Sequence, residues 1–360
     1  MAAQVAAVAD IWVYPVKSLR GFSVNSSLVG ARGIGFDRRW MVVTQKNSVK
    51  EGKGTHRFLS QRTCPRMATI DVDLGYLPDD IHRGPPYHLI LSSSGKKPIV
   101  VPLLQSGRTL AVDIWNDTVF GAVDQGDDVS DWLTSALCGA NFDRPVRLVY
   151  MPDNVKRMVN EKYDVKGNPS IVSFADGLPL LLASAASMRE LNARMPRRMP
   201  INRFRANIII DGDGLEPFEE DDWDVVRIGN VEFSVAKACT RCKLPSTNQK
   251  TGHQTGFYSD PLSTLREFRA DSKGDLYFGQ NLIPMMEAGI PTPWVQKGDR
   301  VVVTKLKTEG SAFREGLGRA PPSAFRKSSS SLLAAAATCP LFAHMCLVVA
   351  ALLFHCYAHH

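Results

Sequence analysis

The feature that most constrains this chain is a succession of short β-branched or alternating runs through its first third. Ile11-Trp12-Val13-Tyr14, Trp40-Met41-Val42-Val43, Thr69 to Leu74, His88 to Leu91, Pro98 to Val101 and Thr109 to Val112 are mostly set off by Gly, Pro, Asp or Ser. Runs this short have strand length rather than helix length, and several of them at this spacing point to a barrel or sandwich. Lys46 to Thr55 is polar, carries Gly52 and Gly54, and reads as the tip of a hairpin.

Beyond residue 125 the pattern mixes. A helix is expected over Asp128 to Leu137, capped by Asp127 or Asp128, with Val129, Trp132, Leu133 and Leu137 on one face. A second is expected over Ser184 to Met195, with Met188 and Leu191 inward. A third starts at Pro261 and runs to Phe268, with proline in its first turn. Strands are expected at Val146 to Tyr150, Asn207 to Ile210, Val225 to Ile228, Val231 to Val235 and Val301 to Val303. The expected class is therefore mainly β with some helices.

The 360 residues suffice for two domains, and 44% hydrophobic content supplies a core. The net charge of +7 is mild and suits an anionic cofactor or an acidic partner. With no Lys/Arg run and no basic stretch interleaved with aromatics, nucleic acid is not an expected partner. Seven cysteines, odd in number and without a paired framework, read as free thiols of a reducing compartment. From Leu332 to Tyr357 the chain carries no Asp, Glu, Lys or Arg, a stretch longer than the ~20 residues that span a bilayer as a helix. Arg326 and Lys327 precede it, which would keep that side cytosolic. A C-terminal hydrophobic helix acting as a tail anchor is expected there, although Pro340, His344 and His355 interrupt it. The polar stretch Thr308 to Ser330 before it has linker composition.

The chemistry concentrates at Ala238-Cys239-Thr240-Arg241-Cys242-Lys243. A structural zinc site needs four ligands, and His56, His82, His88 and His253 are scattered singly. A thioredoxin-like pair belongs at a helix start in a βαβ unit, whereas this pair follows a strand and precedes Pro245. Two buried thiols acting as small hydrophobes are a third reading, against which Arg241 and Lys243 stand. Neighbouring cations favour the thiolate, the form that binds a metal.

Further basic elements recur at strand ends. Lys17 and Ser18 follow the first run, Arg38 and Arg39 precede Trp40, and Arg203, Arg205 and Asn207 alternate into Ile208. Singly each reads as solvated charge; together they point to a pocket for a phosphate-bearing ligand.

Tyr14-Pro15-Val16-Lys17-Ser18, Phe36-Asp37-Arg38-Arg39-Trp40, Asn202-Arg203-Phe204-Arg205-Ala206-Asn207 and Cys239-Thr240-Arg241-Cys242 resemble, in order and spacing, motifs of the MOSC family. The resemblance covers roughly residues 6 to 306 and is strongest to the eukaryotic amidoxime-reducing components. It implies an N-terminal MOSC β-barrel region at 6–125, a MOSC β-barrel domain at 145–306, a linker at 307–330 and the candidate transmembrane tail at 331–357.

It also implies a molybdenum cofactor, one molybdopterin on one molybdenum, with Cys242 as the protein ligand to the metal. Lys17, Ser18, Arg38, Arg205, Asn207, Thr240 and Arg241 match the positions that bind the pterin and its phosphate. Asp176 matches an acidic residue near the metal, able to relay protons. Gly177 departs from the bulkier polar residue of the family pattern, and Cys239 would be a neighbour rather than a ligand.

The implied reaction reduces N-hydroxylated compounds (amidoximes, N-hydroxyguanidines, hydroxylamines) to amines or amidines. Electrons would come from cytochrome b5 and NADH-cytochrome b5 reductase, since the chain has no ferredoxin-type cysteine cluster and no dinucleotide fingerprint. The tail would hold the enzyme at the mitochondrial outer membrane or the endoplasmic reticulum, facing the cytosol; without an anchor it would be cytosolic. The alternative is a molybdenum-cofactor carrier or cofactor-sulfuration protein without reductase activity.

Overall fold

The computed structural model describes residues 4–75, 86–138, 144–165, 170–256, 259–286 and 293–308. The chain divides into two units, Met1–Gly318 and Arg319–His360. The second unit, and with it the expected C-terminal helix and most of the linker, lies outside the described residues. No helix among the described residues is long and apolar enough to cross a membrane.

The first unit is built on two closed rings of strands. The larger ring has seven, in the order Gln4–Val13, Ile208–Asp211, Leu180–Ser184, Tyr277–Met285, Val231–Thr240, Trp223–Ile228 and Arg300–Leu306, the last pairing back onto the first. All its pairings are antiparallel except the parallel one between Leu180–Ser184 and Ile208–Asp211. The smaller ring has five: Trp40–Gln45, His56–Phe58, Thr109–Ile114, Asp117–Asp124 and Val146–Tyr150. Closure gives every ring strand two neighbours, so no hydrogen-bonding edge is left open. The N-terminal strand thus belongs to the barrel otherwise made by the second half of the chain, and Val146–Tyr150 belongs to the barrel made by the first half.

Inside the large barrel the apolar period is two: Ile208 and Ile210, Val226 and Ile228, and Val231, Phe233 and Val235 all join one buried cluster. The small barrel is covered outside as well. Met41 and Val43 face one cluster with Val112, Ile114 and Val149, while Trp40 and Val42 face another with Leu133 and Leu148. That second cluster also takes in the helix Asp127–Leu137 and the three-stranded sheet Asp71–Gly75, His88–Ser93 and Lys96–Pro102. Burial on both faces explains why Trp40 to Val43 reads as a continuous apolar run instead of an alternation.

The three helices form at Asp127–Leu137, Ala185–Arg194 and Leu262–Phe268. The Ser184 hydroxyl caps the second, accepting from the Ala186 and Ser187 amides at 3.1 and 3.3 Å. The first differs from expectation: Gly126, at φ +104°, takes the cap position, and Asp127 and Asp128 lie within the first turn. Their charge still favours the positive end of the helix.

Candidate functional site

Tyr14 to Ser18 is the crossover between the barrels: Gln4–Val13 lies in the large ring, and Val16–Lys17 pairs in parallel with Trp40–Gln45 of the small one. A cleft forms beside this crossover, about 800 Å³ including its open mouth. The residues that the resemblance matched to the cofactor and the metal line it: Lys17, Ser18, Arg38, Asp176, Arg205, Asn207, Thr240, Arg241 and Cys242; Arg39, Arg203 and Lys243, also marked by the motifs, do not. Its lining carries five cations, Lys17, Arg38, Arg62, Arg205 and Arg241, against the single carboxylate of Asp176. Such a wall selects an anion.

The thiols arrive at the end of Val231–Thr240. That strand shifts register against Tyr277–Met285 between Val235 and Lys237 and again between Ala238 and Thr240, so Cys239 sits in an irregularity that re-aims the side chains. Cys239 packs against the apolar cluster of Phe204, Leu276 and Phe278. Cys242 lies beyond the strand, and its Sγ accepts a hydrogen bond from Arg62 Nε at 3.0 Å. The two thiols therefore occupy different surroundings. Gly279 lets the neighbouring strand approach: at φ +76°, a side chain there would meet Leu182 O at 2.6 Å. Arg241 spans the same gap, donating from Nε to Phe278 O at 2.8 Å and from Nη1 to Phe204 O at 3.2 Å.

Opposite the thiol, Asp176 sits at the mouth with 53% of its side chain exposed. Lys17 Nζ donates to its Oδ1 at 2.5 Å and to Phe174 O at 2.8 Å; Arg62 Nη2 donates to Oδ2 at 3.0 Å, and Trp115 Nε1 to Oδ1 at 3.2 Å. Partial burial alone would raise the Asp176 pKa, but Lys17 and Arg62 outweigh it and hold the carboxyl well below the usual range. Burial pulls the Lys17 ammonium down to about 8, with Asp176 opposing the shift. The loop bearing Asp176 is pinned from below by Arg157, which donates to the carbonyls of Ser173, Ala175 and Asp176.

Two of these cations flank one ring. The guanidinium carbons of Arg38 and Arg205 lie 4.3 and 4.2 Å from the Tyr14 ring centroid. Arg38 Nη1 pairs with buried Asp37 at 2.5 Å, and its Nη2 donates to Arg205 O at 3.0 Å. Arg205 is 6% exposed, and its Nη2 meets no hydrogen-bond partner among the described residues. Burial draws its pKa down to about 10. A buried guanidinium edge left unpaired costs on the order of 1–3 kcal/mol unless an acceptor fills it, so the cleft is shaped for an anion at that edge. Asn207, also in the lining, is firmly held. Both its amide hydrogens are used, to Trp12 O at 3.1 Å and Asp37 Oδ1 at 3.0 Å, while its Oδ1 accepts from the Leu181 amide at 3.2 Å. It clamps the strands that position Arg205.

Ser18, Arg38 and Arg205 all adopt positive φ, at 68°, 50° and 56°, as does Trp115 at 56°. Left-handed backbone at non-glycine residues costs about 1–3 kcal/mol and persists where the surroundings demand it. Four of these residues around one cleft mark it as the functional region. Motif reading missed Arg62, Trp115, Arg157, Gln61 and Gln249. The last two form a buried amide pair at 2.9 Å (Gln249 Nε2 to Gln61 Oε1), with Gln61 also donating to Ser18 O at 2.8 Å. The one available sign was Trp115, a large aromatic at the tip of a two-residue hairpin turn, a position ordinarily polar.

Among the described residues no group of three or more His, Cys, Asp or Glu gathers as metal ligands.

Two family models match this architecture: the MOSC N-terminal beta barrel domain over residues 5–140 and the MOSC domain over residues 169–302. The chain belongs to the MOSC family. It is 32% identical over 273 residues to mitochondrial amidoxime reducing component 2 of Bos taurus, covering 74% of this chain and 73% of that protein. Against mitochondrial amidoxime-reducing component 1 of Mus musculus it is 31% identical, covering 74% and 72%. Human molybdenum cofactor sulfurase matches at 28% identity over 73% of this chain and 29% of its own length.

Proposed function

We propose that this protein binds a molybdenum cofactor and reduces N-hydroxylated compounds to the corresponding amines or amidines. The observation that carries the reading is the pairing of a thiol that accepts a hydrogen bond from Arg62, Cys242, with a cation cradle whose Arg205 Nη2 lacks an acceptor among the described residues. The similarity to amidoxime-reducing components and to molybdenum cofactor sulfurase supports the same cofactor.

The residues present fit that group. Cys242 offers a soft thiolate, which suits molybdenum held by sulfur. Arg38 and Arg205, backed by Lys17, Ser18, Thr240 and Arg241, would hold the anionic pterin and its phosphate. When bound, the cofactor would supply the two-electron exchange. The protein supplies position and protons. Reducing R–NHOH to R–NH₂ releases water and consumes two electrons and two protons; Asp176, held ionised at the open mouth, would orient the Lys17 ammonium, whose pKa near 8 suits it to hand a proton to the departing oxygen.

The electrons are proposed to come from cytochrome b5 and NADH-cytochrome b5 reductase, and residues 331–357 to tether the enzyme to the membrane carrying them. The test is purified protein with both electron-transfer proteins, NADH and benzamidoxime. Turnover to benzamidine is expected. No turnover at full molybdenum loading would favour a cofactor carrier or sulfuration role. Removing residues 331–360 should release the protein from membranes at unchanged turnover; a full-length protein already free of membranes would refute the tether.

A further inference from the structure

We infer that Arg62 is a positioning residue that ties the Cys242 sulfur and the Asp176 carboxylate into one hydrogen-bonded chain and so sets the electron density on the ligand sulfur. This rests on the function proposed above and deepens it. Arg62 follows the strand His56–Phe58 of the small barrel, yet it reaches a thiol 180 residues away that belongs to the large one. Its Nε donates to Cys242 Sγ at 3.0 Å and its Nη2 to Asp176 Oδ2 at 3.0 Å. These two N–H groups lie along one edge of a rigid plane, so the sulfur and the carboxylate are held at a fixed separation that no lysine reproduces.

The guanidinium is itself held. Its carbon lies 4.8 Å from the Trp115 ring centroid, and the same indole donates to Asp176 Oδ1 at 3.2 Å. The Trp115 ring packs 5.2 Å from that of Phe58. Trp115 is 51% exposed and adopts φ +56°, an unfavourable backbone for a bulky residue. Neither burial nor the hairpin turn requires tryptophan there. Its contacts to Arg62 and Asp176 do.

Donation of an N–H to a metal-bound sulfur draws electron density from it and makes the metal easier to reduce, as hydrogen bonds to ligand sulfurs do in other metal centres. Arg62 thereby joins the sulfur that would hold the metal to the ionised carboxylate at the mouth. Both lie on one guanidinium edge.

The test uses full-length, molybdenum-loaded protein beside Arg62→Gln and Arg62→Lys, and measures molybdenum content, the midpoint potential of the metal by EPR-monitored titration, kcat, KM and melting temperature. Both variants should keep wild-type molybdenum content, shift the potential downward and lose kcat on the order of 10–100-fold, with KM changing far less. Arg62→Lys should regain melting temperature by restoring charge beside Asp176, but not the potential. An unmoved potential overturns the inference, whatever kcat does. So does loss of molybdenum from folded variants, which would make Arg62 a cofactor anchor instead. If Arg62→Gln does not fold, Arg62→Lys carries the same test. Wild-type protein that takes up no molybdenum would remove the functional reading, and this inference with it. A loaded wild type with unshifted variants removes the inference alone.

Discussion

The large barrel aims its thiol by interrupting a long strand, whereas the small barrel aims its site residues by straining the turns beside its strands, a device the large barrel also uses at Arg205. Val231–Thr240 shifts register twice before releasing Arg241 and Cys242 into the cleft. On the other side, Ser18, Arg38 and Trp115 sit beside short strands at φ of 68°, 50° and 56°. A bulge spreads its distortion along a paired ladder; a left-handed non-glycine residue concentrates the cost at one position, about 1–2 kcal/mol. The small barrel's side contributes Lys17, Arg38 and Arg62, three of the five cations.

The largest effect should come from the cation with the unpaired edge. Arg205→Met removes the unpaired Nη2 edge and should weaken retention of the anionic ligand by about 1.5–3 kcal/mol, the worth of a hydrogen bond to a charged group. Dialysis followed by pterin analysis would measure this; wild-type retention would mean that the anion lies elsewhere.

Next comes Lys17. Its pKa is lowered to about 8 by burial, so as pH rises through 8 the cleft loses a cation and ligand affinity should fall by about fivefold, roughly 1 kcal/mol of charge interaction. The fold responds with the opposite sign. Between about pH 8 and 10.5 the unfolded chain keeps a proton on Lys17 that the native state has released, so this residue's contribution to stability rises with pH. Titrating binding and unfolding in parallel checks both slopes, and Lys17→Arg should flatten the binding inflection near pH 8.

Strain supplies a smaller effect. Ser18→Gly should raise unfolding free energy by about 1 kcal/mol, because glycine adopts φ +68° without penalty. Urea denaturation would detect the gain, and a destabilised variant would show that Ser18 is not strained. Smallest of all, Gly177→Gln should leave stability within about 0.5 kcal/mol, since nothing lies within 4 Å of a Cβ built there. It should raise KM for bulky substrates at the mouth, measured across an amidoxime series of increasing size.

Strand positions were legible where one face meets solvent or a turn residue marks the end. Val225 to Ile228 and Val231 to Val235 alternate, and both form strands. Leu180–Ser184 was not legible, because all five residues are buried and the run carries no period. Tyr277–Met285 hides behind Gly279 and Pro284, residues that ordinarily break strands. The first strand's place in the large barrel is invisible too, since pairing with Ile208–Asp211 spans about two hundred residues and leaves no local trace.

The same divide runs through the site. Lys17, Arg38, Arg205 and Cys242 stand in short motifs at strand ends, and the cleft gathers them as expected. Arg62, Gln61, Gln249 and Arg157 act only through partners far away in sequence. No spacing rule reaches that far.

The central claim is that Cys242 alone among the paired thiols holds the metal. Molybdenum analysis of wild-type protein, Cys239→Ser and Cys242→Ser, purified identically, tests it most directly. One molybdenum per chain is expected in wild type and in Cys239→Ser, with none retained through the protein sulfur in Cys242→Ser. Equal loss from both variants, or stoichiometric metal in Cys242→Ser, would contradict the account.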